Sequence, residues 1–268
     1  MTVPGSSIAS SRAGEPALVT DVDLRAVRTL LCDADGNLFP SEEPAYTASV
    51  GIVNRLMESI GAPQRFEAEQ LRRSSTGKNF RTLASELTRQ YGRCLSDVAL
   101  DGWVAEEKDA VSDHLRRVLE PDAEVVDVLS RLRDRYELAA VSSSALSRLD
   151  TCFAVTGLSE LLPPERRFSA EDSLARPASK PDPAVYQAAC ARLGVRPGEA
   201  LAIEDSPTGV LSAVRAGVPT VGNVRFVHAD EREDRIKELA SAGALTVVPS
   251  WRALEKLLER RPSAEPLN

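Results

Sequence analysis

Ala200-Leu-Ala-Ile-Glu204-Asp205-Ser206-Pro207-Thr-Gly-Val-Leu-Ser-Ala-Val-Arg-Ala216-Gly217 passes from an apolar run, through two acids, into a helical pattern. Ala200–Ile203 does not alternate, which suits a parallel strand buried on both faces. Ser206 and Pro207 then supply a cap and a first helical residue, and Gly217 a stop. Two other runs of the same kind end in polar or small residues. Val27–Cys32 leads into Asp33-Ala34-Asp35-Gly36, and Leu138–Val141 into Ser142-Ser143-Ser144. Pro219–Val221 and Leu245–Val248 are further strand candidates. Pro183–Leu193, stopped by Gly194, and the amphipathic Trp251–Arg260 read as helices. Strands alternating with helices from residue 120 onward predict an α/β fold with a doubly wound parallel sheet.

The stretch after the first strand breaks this rhythm. Residues 41–117 show only helical periodicity, over Tyr46–Ile60, Phe80–Tyr91 and Val98–Leu119. A crossover between parallel strands needs only a dozen or more residues, so an inserted helical subdomain is the economical explanation. The chain therefore divides into an α/β core (26–40 and 118–261) and a helical insertion (41–117). Residues 1–25 and 262–268 are expected to be flexible tails.

With 33 Lys and Arg against 40 Asp and Glu, the net charge of -7 argues against non-specific binding to nucleic acid or anionic membrane. No apolar stretch reaches transmembrane length, and Met1–Thr20 lacks the pattern of a signal peptide. Cys32, Cys94, Cys152 and Cys190 form no CxxC pair, so reduced thiols in a cytoplasmic protein are expected.

Active sites in open α/β sheets lie beyond the carboxyl ends of the strands. That rule brings Asp33/Asp35, Ser142 and Glu204/Asp205 to one edge. Asp33 and Asp35 are two apart and would point the same way on an extended backbone. Such carboxylates repel unless a cation or proton intervenes; with Glu204 and Asp205 adding oxygens, Mg²⁺ is the expected ion. One carboxylate could then attack phosphorus while the other moves protons. Asp-x-Asp-Gly can also be a plain turn, and it arises by chance in roughly one such chain in twenty. A calcium loop fails on its own spacing, with Leu38 at position six and Pro44 at position twelve. Ser142, Lys180 and Glu204-Asp205 each have an ordinary explanation alone, as strand end, solvated cation and helix cap. Their joint occurrence in this order is what points to chemistry.

Asp33-Ala-Asp-Gly-Asn-Leu38, Ser142, Lys180-Pro-Asp-Pro183 and Ile203-Glu-Asp-Ser-Pro-Thr-Gly-Val210 with Ala216-Gly-Val218 resemble the four motifs of the haloacid dehalogenase superfamily. The similar branch is that of phosphoglycolate phosphatases and β-phosphoglucomutases. The resemblance implies a Rossmann-like core in which Asp33 is the nucleophile and Asp35 the general acid/base. Ser142, Ser143 and Lys180 would hold the phosphoryl oxygens. Asp33, the Asp35 carbonyl, Glu204 and Asp205 would bind Mg²⁺, and the insertion would be an α-helical cap. Asn37 stands where Thr or Val is usual.

Asp35 favours a phosphoester over a halide or phosphonate substrate, since those branches lack this acid. β-Phosphoglucomutases carry a His where Ala45 stands, which favours a phosphatase over a mutase. Arg72–Asn79 sits where related caps place a specificity loop, with Gly77 and Lys78 as candidate substrate contacts; Arg72, Arg73 and Arg81 are expected to face water, and Trp103 to fill the cap core. The expected activity is hydrolysis of a sugar, polyol or glycolate phosphate by a monomer or homodimer. A sugar phosphomutase and a silent phospholigand-binding module, to which Asn37 leans, are the alternatives.

Overall fold

A computed structural model describes residues 24–75 and 79–259. The expected tails, save residues 24, 25, and the loop residues Gly77 and Lys78 lie outside the described residues. One parallel sheet contains β1 (Thr29–Cys32), β2 (Glu137–Ser142), β3 (Arg167–Ser169), β4 (Ala200–Glu204), β5 (Thr220–Asn223) and β6 (Thr246–Val248). Among the described residues the helices are α1 (Glu42–Ser59), α2 (Ala68–Ser75), α3 (Phe80–Gln90), α4 (Asp97–Val118), α5 (Ala123–Leu132), α6 (Leu146–Val155), α7 (Ala184–Leu193), α8 (Pro207–Arg215), α9 (Arg232–Ser241) and α10 (Trp251–Glu259).

The strand order is β3-β2-β1-β4-β5-β6. The chain winds outward from β1 to β3, returns beside β1 as β4, and winds outward again. Where the winding reverses, the connections leave β1 and β4 in opposite directions and open a crevice at their carboxyl ends. Cys32 pairs with Ile203 and with Ala140, so the residues that follow, Asp33 and Glu204, come level with each other.

Continuous apolar strands are required because alternate residues serve opposite faces. Leu30, Cys32, Leu138, Ala140, Leu201 and Ile203 pack on one side with α5, α6 and α10. Leu31, Ala139, Val141, Ala200 and Ala202 pack on the other with α7 and α8.

Helices α1–α4 lie between β1 and α5 and have apolar clusters of their own. Val53, Met57, Leu71, Leu83 and Leu87 form one, and Leu56, Ala84 and Leu100 another. Val111 and Leu115 of α4 instead join the cluster against the sheet, so α4 links the α1–α3 clusters to the sheet.

Several expectations need correcting. β3 was not predicted: it is three residues long and includes Arg167, whose buried guanidinium lies over the Phe153 ring and pairs with Asp150. Arg72–Ser75 belong to α2 instead of a loop. Arg72 does not face water: it is buried and bridges Glu69 and Glu231. Arg73 and Arg81 are exposed as expected, paired with Glu69 and Asp101. Trp103 packs against the Leu56, Ala84 and Leu100 cluster as expected, but it is only partly buried, with Arg55 over its ring.

Trp251 is fully buried, and its indole N–H donates to the Asn37 carbonyl at 2.9 Å. Trp251→Ala is expected to cost about 3–5 kcal/mol of unfolding free energy, read by urea denaturation with an unchanged slope. A loss below about 1 kcal/mol would contradict this packing.

Candidate active site

Lys180, in the connection from β3 to α7, is at the centre of the crevice. Its ammonium donates to Asp33 Oδ1 at 2.5 Å, Glu204 Oε1 at 2.6 Å and the Val141 carbonyl at 2.8 Å. Its side chain is 5% exposed, those of Asp33 and Glu204 9% and 0%. Burial works against the charged ammonium, yet Asp33 and Glu204 outweigh it and hold Lys180 above the ordinary lysine range. The Tyr186 hydroxyl on α7 adds a 2.5 Å bond to Glu204 Oε1. Burial, then the Glu204 charge, push this phenol well up, so it stays a neutral donor.

Asp33, Glu204 and Asp205 each bring a carboxylate oxygen within 4.8 Å of the others. Burial raises the proton affinity of Asp33 and Asp205, and the neighbouring carboxylates add to it; for Asp33, Lys180 opposes the rise. Lys180 and, beside Asp205, the Arg235 guanidinium do not balance these three acids together with the nearby Glu42. Glu204 Oε2 is buried without a hydrogen-bond partner. Two glycines make room for these oxygens: a Cβ would stand 2.2 Å from Asp205 Oδ2 at Gly36 and 1.9 Å from Glu204 Oε2 at Gly209. Hard oxygen donors, an unpartnered carboxylate oxygen and a deficit of positive charge together fit a divalent cation.

Asp35 is engaged elsewhere. Its Oδ1 accepts from Ser41 Oγ at 2.6 Å and Arg148 Nη2 at 3.0 Å. Its Oδ2 accepts from Ser144 Oγ at 2.7 Å and Ser142 Oγ at 3.3 Å. Burial alone would raise its proton affinity, but Arg148 and the three hydroxyls outweigh burial and hold the carboxyl below the usual aspartate range. Ser142 therefore faces Asp35, and the Ser143 hydroxyl accepts the Lys180 backbone N–H at 3.2 Å. Ser41, Ser144, Arg148 and Tyr186 are site neighbours that motif reading missed. Only Arg148 carried a local signal, a cation in the first turn of α6, where the helix dipole disfavours it.

Asn37, the departure from the family pattern, is a buried brace. Its amide donates to the carbonyls of Asp33 at 2.9 Å and Ile203 at 3.1 Å, and accepts from Asn223 at 2.8 Å. The brace fixes the end of β1 against β4 and β5. Beside Asp205 a cavity of about 110 Å³ has a mixed lining, with Glu42, Arg72, Glu231 and Arg235 facing it together with Phe226 and Val227.

Gly209 lies in the first turn of α8, where alanine would ordinarily stabilise a helix by about 1 kcal/mol. Contact with Glu204 reverses the sign: Gly209→Ala is expected to destabilise by about 1–3 kcal/mol in chemical denaturation. A stabilised variant would contradict the close approach of Glu204 to this helix.

The sequence profile of the haloacid dehalogenase-like hydrolases matches residues 27–217. Validoxylamine A 7'-phosphate phosphatase of Streptomyces hygroscopicus subsp. limoneus is 30% identical over 200 residues, 73% of this chain and 84% of that protein. A conserved haloacid dehalogenase-like protein of unknown function from Agrobacterium tumefaciens superposes with a TM-score of 0.67 at 25% identity, over 87% of this chain and 98% of the other. A predicted phosphoglycolate phosphatase from Haemophilus somnus shares the fold, with a TM-score of 0.67 at 18% identity, over 87% and 98% of the two chains. The chain belongs to the haloacid dehalogenase-like hydrolase family.

Proposed function

We propose that the protein hydrolyses a small, polar phosphate monoester through a phosphorylated Asp33, with Mg²⁺ as its cation. The family and the phosphatase relative make it a phosphoric monoester hydrolase; the residue roles and the substrate class are inferred. The observation that carries them is Lys180, buried between Asp33 and Glu204, next to an unpartnered carboxylate oxygen.

In the first step an Asp33 oxygen bonds to phosphorus, the bond from phosphorus to the ester oxygen breaks, and Asp35 gives that oxygen its proton. In the second, water attacks phosphorus and passes a proton to Asp35; phosphate leaves and the Asp33 carboxylate is restored. Asp35 is held below the usual aspartate range in the free protein; an arriving phosphate dianion raises its proton affinity, and the proton it passes to the ester oxygen is taken up from solvent as the substrate binds. Lys180 offsets the charge of Asp33 and the phosphoryl group, and the hydroxyls of Ser142 and Ser143 are at hand for its oxygens. Asp33, Glu204, Asp205 and the Asp35 carbonyl would hold the cation, which screens one anion from another.

The charged side chains at the cavity beside Asp205, Glu42, Arg72, Glu231 and Arg235, can bond to hydroxyls and so support a substrate of the sugar, polyol or glycolate phosphate type. The silent-binder alternative leaned on Asn37, and the bracing role of that residue removes its support. Helices α1–α4 would act as a cap that closes over the substrate and excludes water. Four free cysteines suit a cytoplasmic location.

Phosphate release from a panel of sugar, polyol, glycolate and nucleotide monophosphates is expected to require Mg²⁺ and stop with EDTA. Asp33→Asn is expected to lower turnover at least about a thousandfold. Release that persists in EDTA, or in Asp33→Asn, would overturn the proposal.

A further inference from the structure

Asp35 and Asp33 are neighbours in sequence but have different counter-ions. Lys180 is already shared between Asp33 and Glu204, so an unpaired Asp35 would either compete for that ammonium or turn to water. Among the described residues the one cation in a salt bridge with Asp35 is Arg148. The two side chains are largely enclosed, at 22% and 20% exposure, and Arg148 Nε is buried without a partner. The remaining donors to Asp35 are neutral hydroxyls, free to rotate. One of them, Ser142 Oγ, is 3.3 Å away and also accepts the Ser144 N–H at 2.9 Å. A guanidinium fixed to a helix has no such freedom.

The placement of Arg148 is costly unless something repays it. It stands in the first turn of α6, a turn with no acidic residue, against the helix dipole. Its other close anion is Glu107 of α4, a residue that accepts from Ser49 of α1. Arg148 thus stands where the sheet, α6 and the helical insertion meet.

We propose that Arg148 is the positioning residue for Asp35: it fixes the carboxyl that gives the leaving group its proton and keeps it apart from the Asp33–Lys180–Glu204 cluster. The proposal rests on the phosphatase reading above and adds a role that the motifs do not assign.

The test separates positioning of an acid from general structural support. An alkyl phosphate needs a proton at its leaving oxygen, whereas p-nitrophenolate leaves without one. Leaving-group release would be followed in a single turnover with Mg²⁺, for wild type, Arg148→Met, Arg148→Lys and Asp35→Asn. In Arg148→Met, release from the alkyl phosphate is expected to slow at least about tenfold more than release from p-nitrophenyl phosphate, as in Asp35→Asn. Arg148→Lys is expected to fall between Arg148→Met and wild type. Equal slowing of both esters in the Arg148 variants, or no slowing, overturns the positioning role and leaves the phosphatase reading intact. If Arg148→Met fails to fold, Arg148→Lys alone decides by the same ratio. A wild type that releases neither leaving group brings down the phosphatase reading and this inference together.

Discussion

A buried ammonium needs anions, and buried carboxylates need a cation. Lys180 answers both demands at one point, and the rest of the site is arranged around it. Its three donated bonds go to Asp33, Glu204 and the Val141 carbonyl, and so to the ends of three adjacent strands, β1, β4 and β2. Removing one partner from such a group would leave a charge buried and unbalanced, which costs far more than the net value of the pair. The requirement explains why Tyr186 supplies a neutral donor to Glu204 and why Gly209, against which Glu204 lies, carries no side chain. It also leaves Glu204 Oε2 without a hydrogen-bond partner, beside an acidic cluster that could hold a cation.

The two aspartates of the first motif differ in environment more than in chemistry. Asp33 shares a crowded, anionic pocket with one lysine; Asp35 accepts from an arginine and three serine hydroxyls. Opposite shifts in neighbouring acids are how one fold assigns them separate tasks. Asn37 keeps the division sharp, because its amide holds the Asp33 carbonyl to the end of β4 while its own carbonyl accepts from Trp251. The motif is thus braced from β4, β5 and α10 together.

Much of this was legible in the residues. The sheet could be read because buried parallel strands need unbroken apolar runs, and Asp33, Glu204, Asp205 and Ser142 could be placed because they follow such runs. Lys180 was found from its motif. β3 was hidden, since three residues with a buried arginine give no strand pattern. Arg148 and Tyr186 were missed for another reason: their partners lie 113 and 18 residues away, and no local periodicity reports a contact of that kind. Arg72 was misread because helical cations usually face water, and here Glu231 beyond β5 takes it inward.

The most direct test of the central proposal is to trap the phosphoryl group. Wild-type protein would be mixed with substrate and Mg²⁺, quenched in acid within a turnover and digested, and the peptide containing Asp33 weighed. A phosphate on Asp33, absent when Mg²⁺ is withheld, is the expected result. Steady phosphate release with Asp33 unmodified at every quench time, and with a phosphoryl group found on another residue, would contradict it.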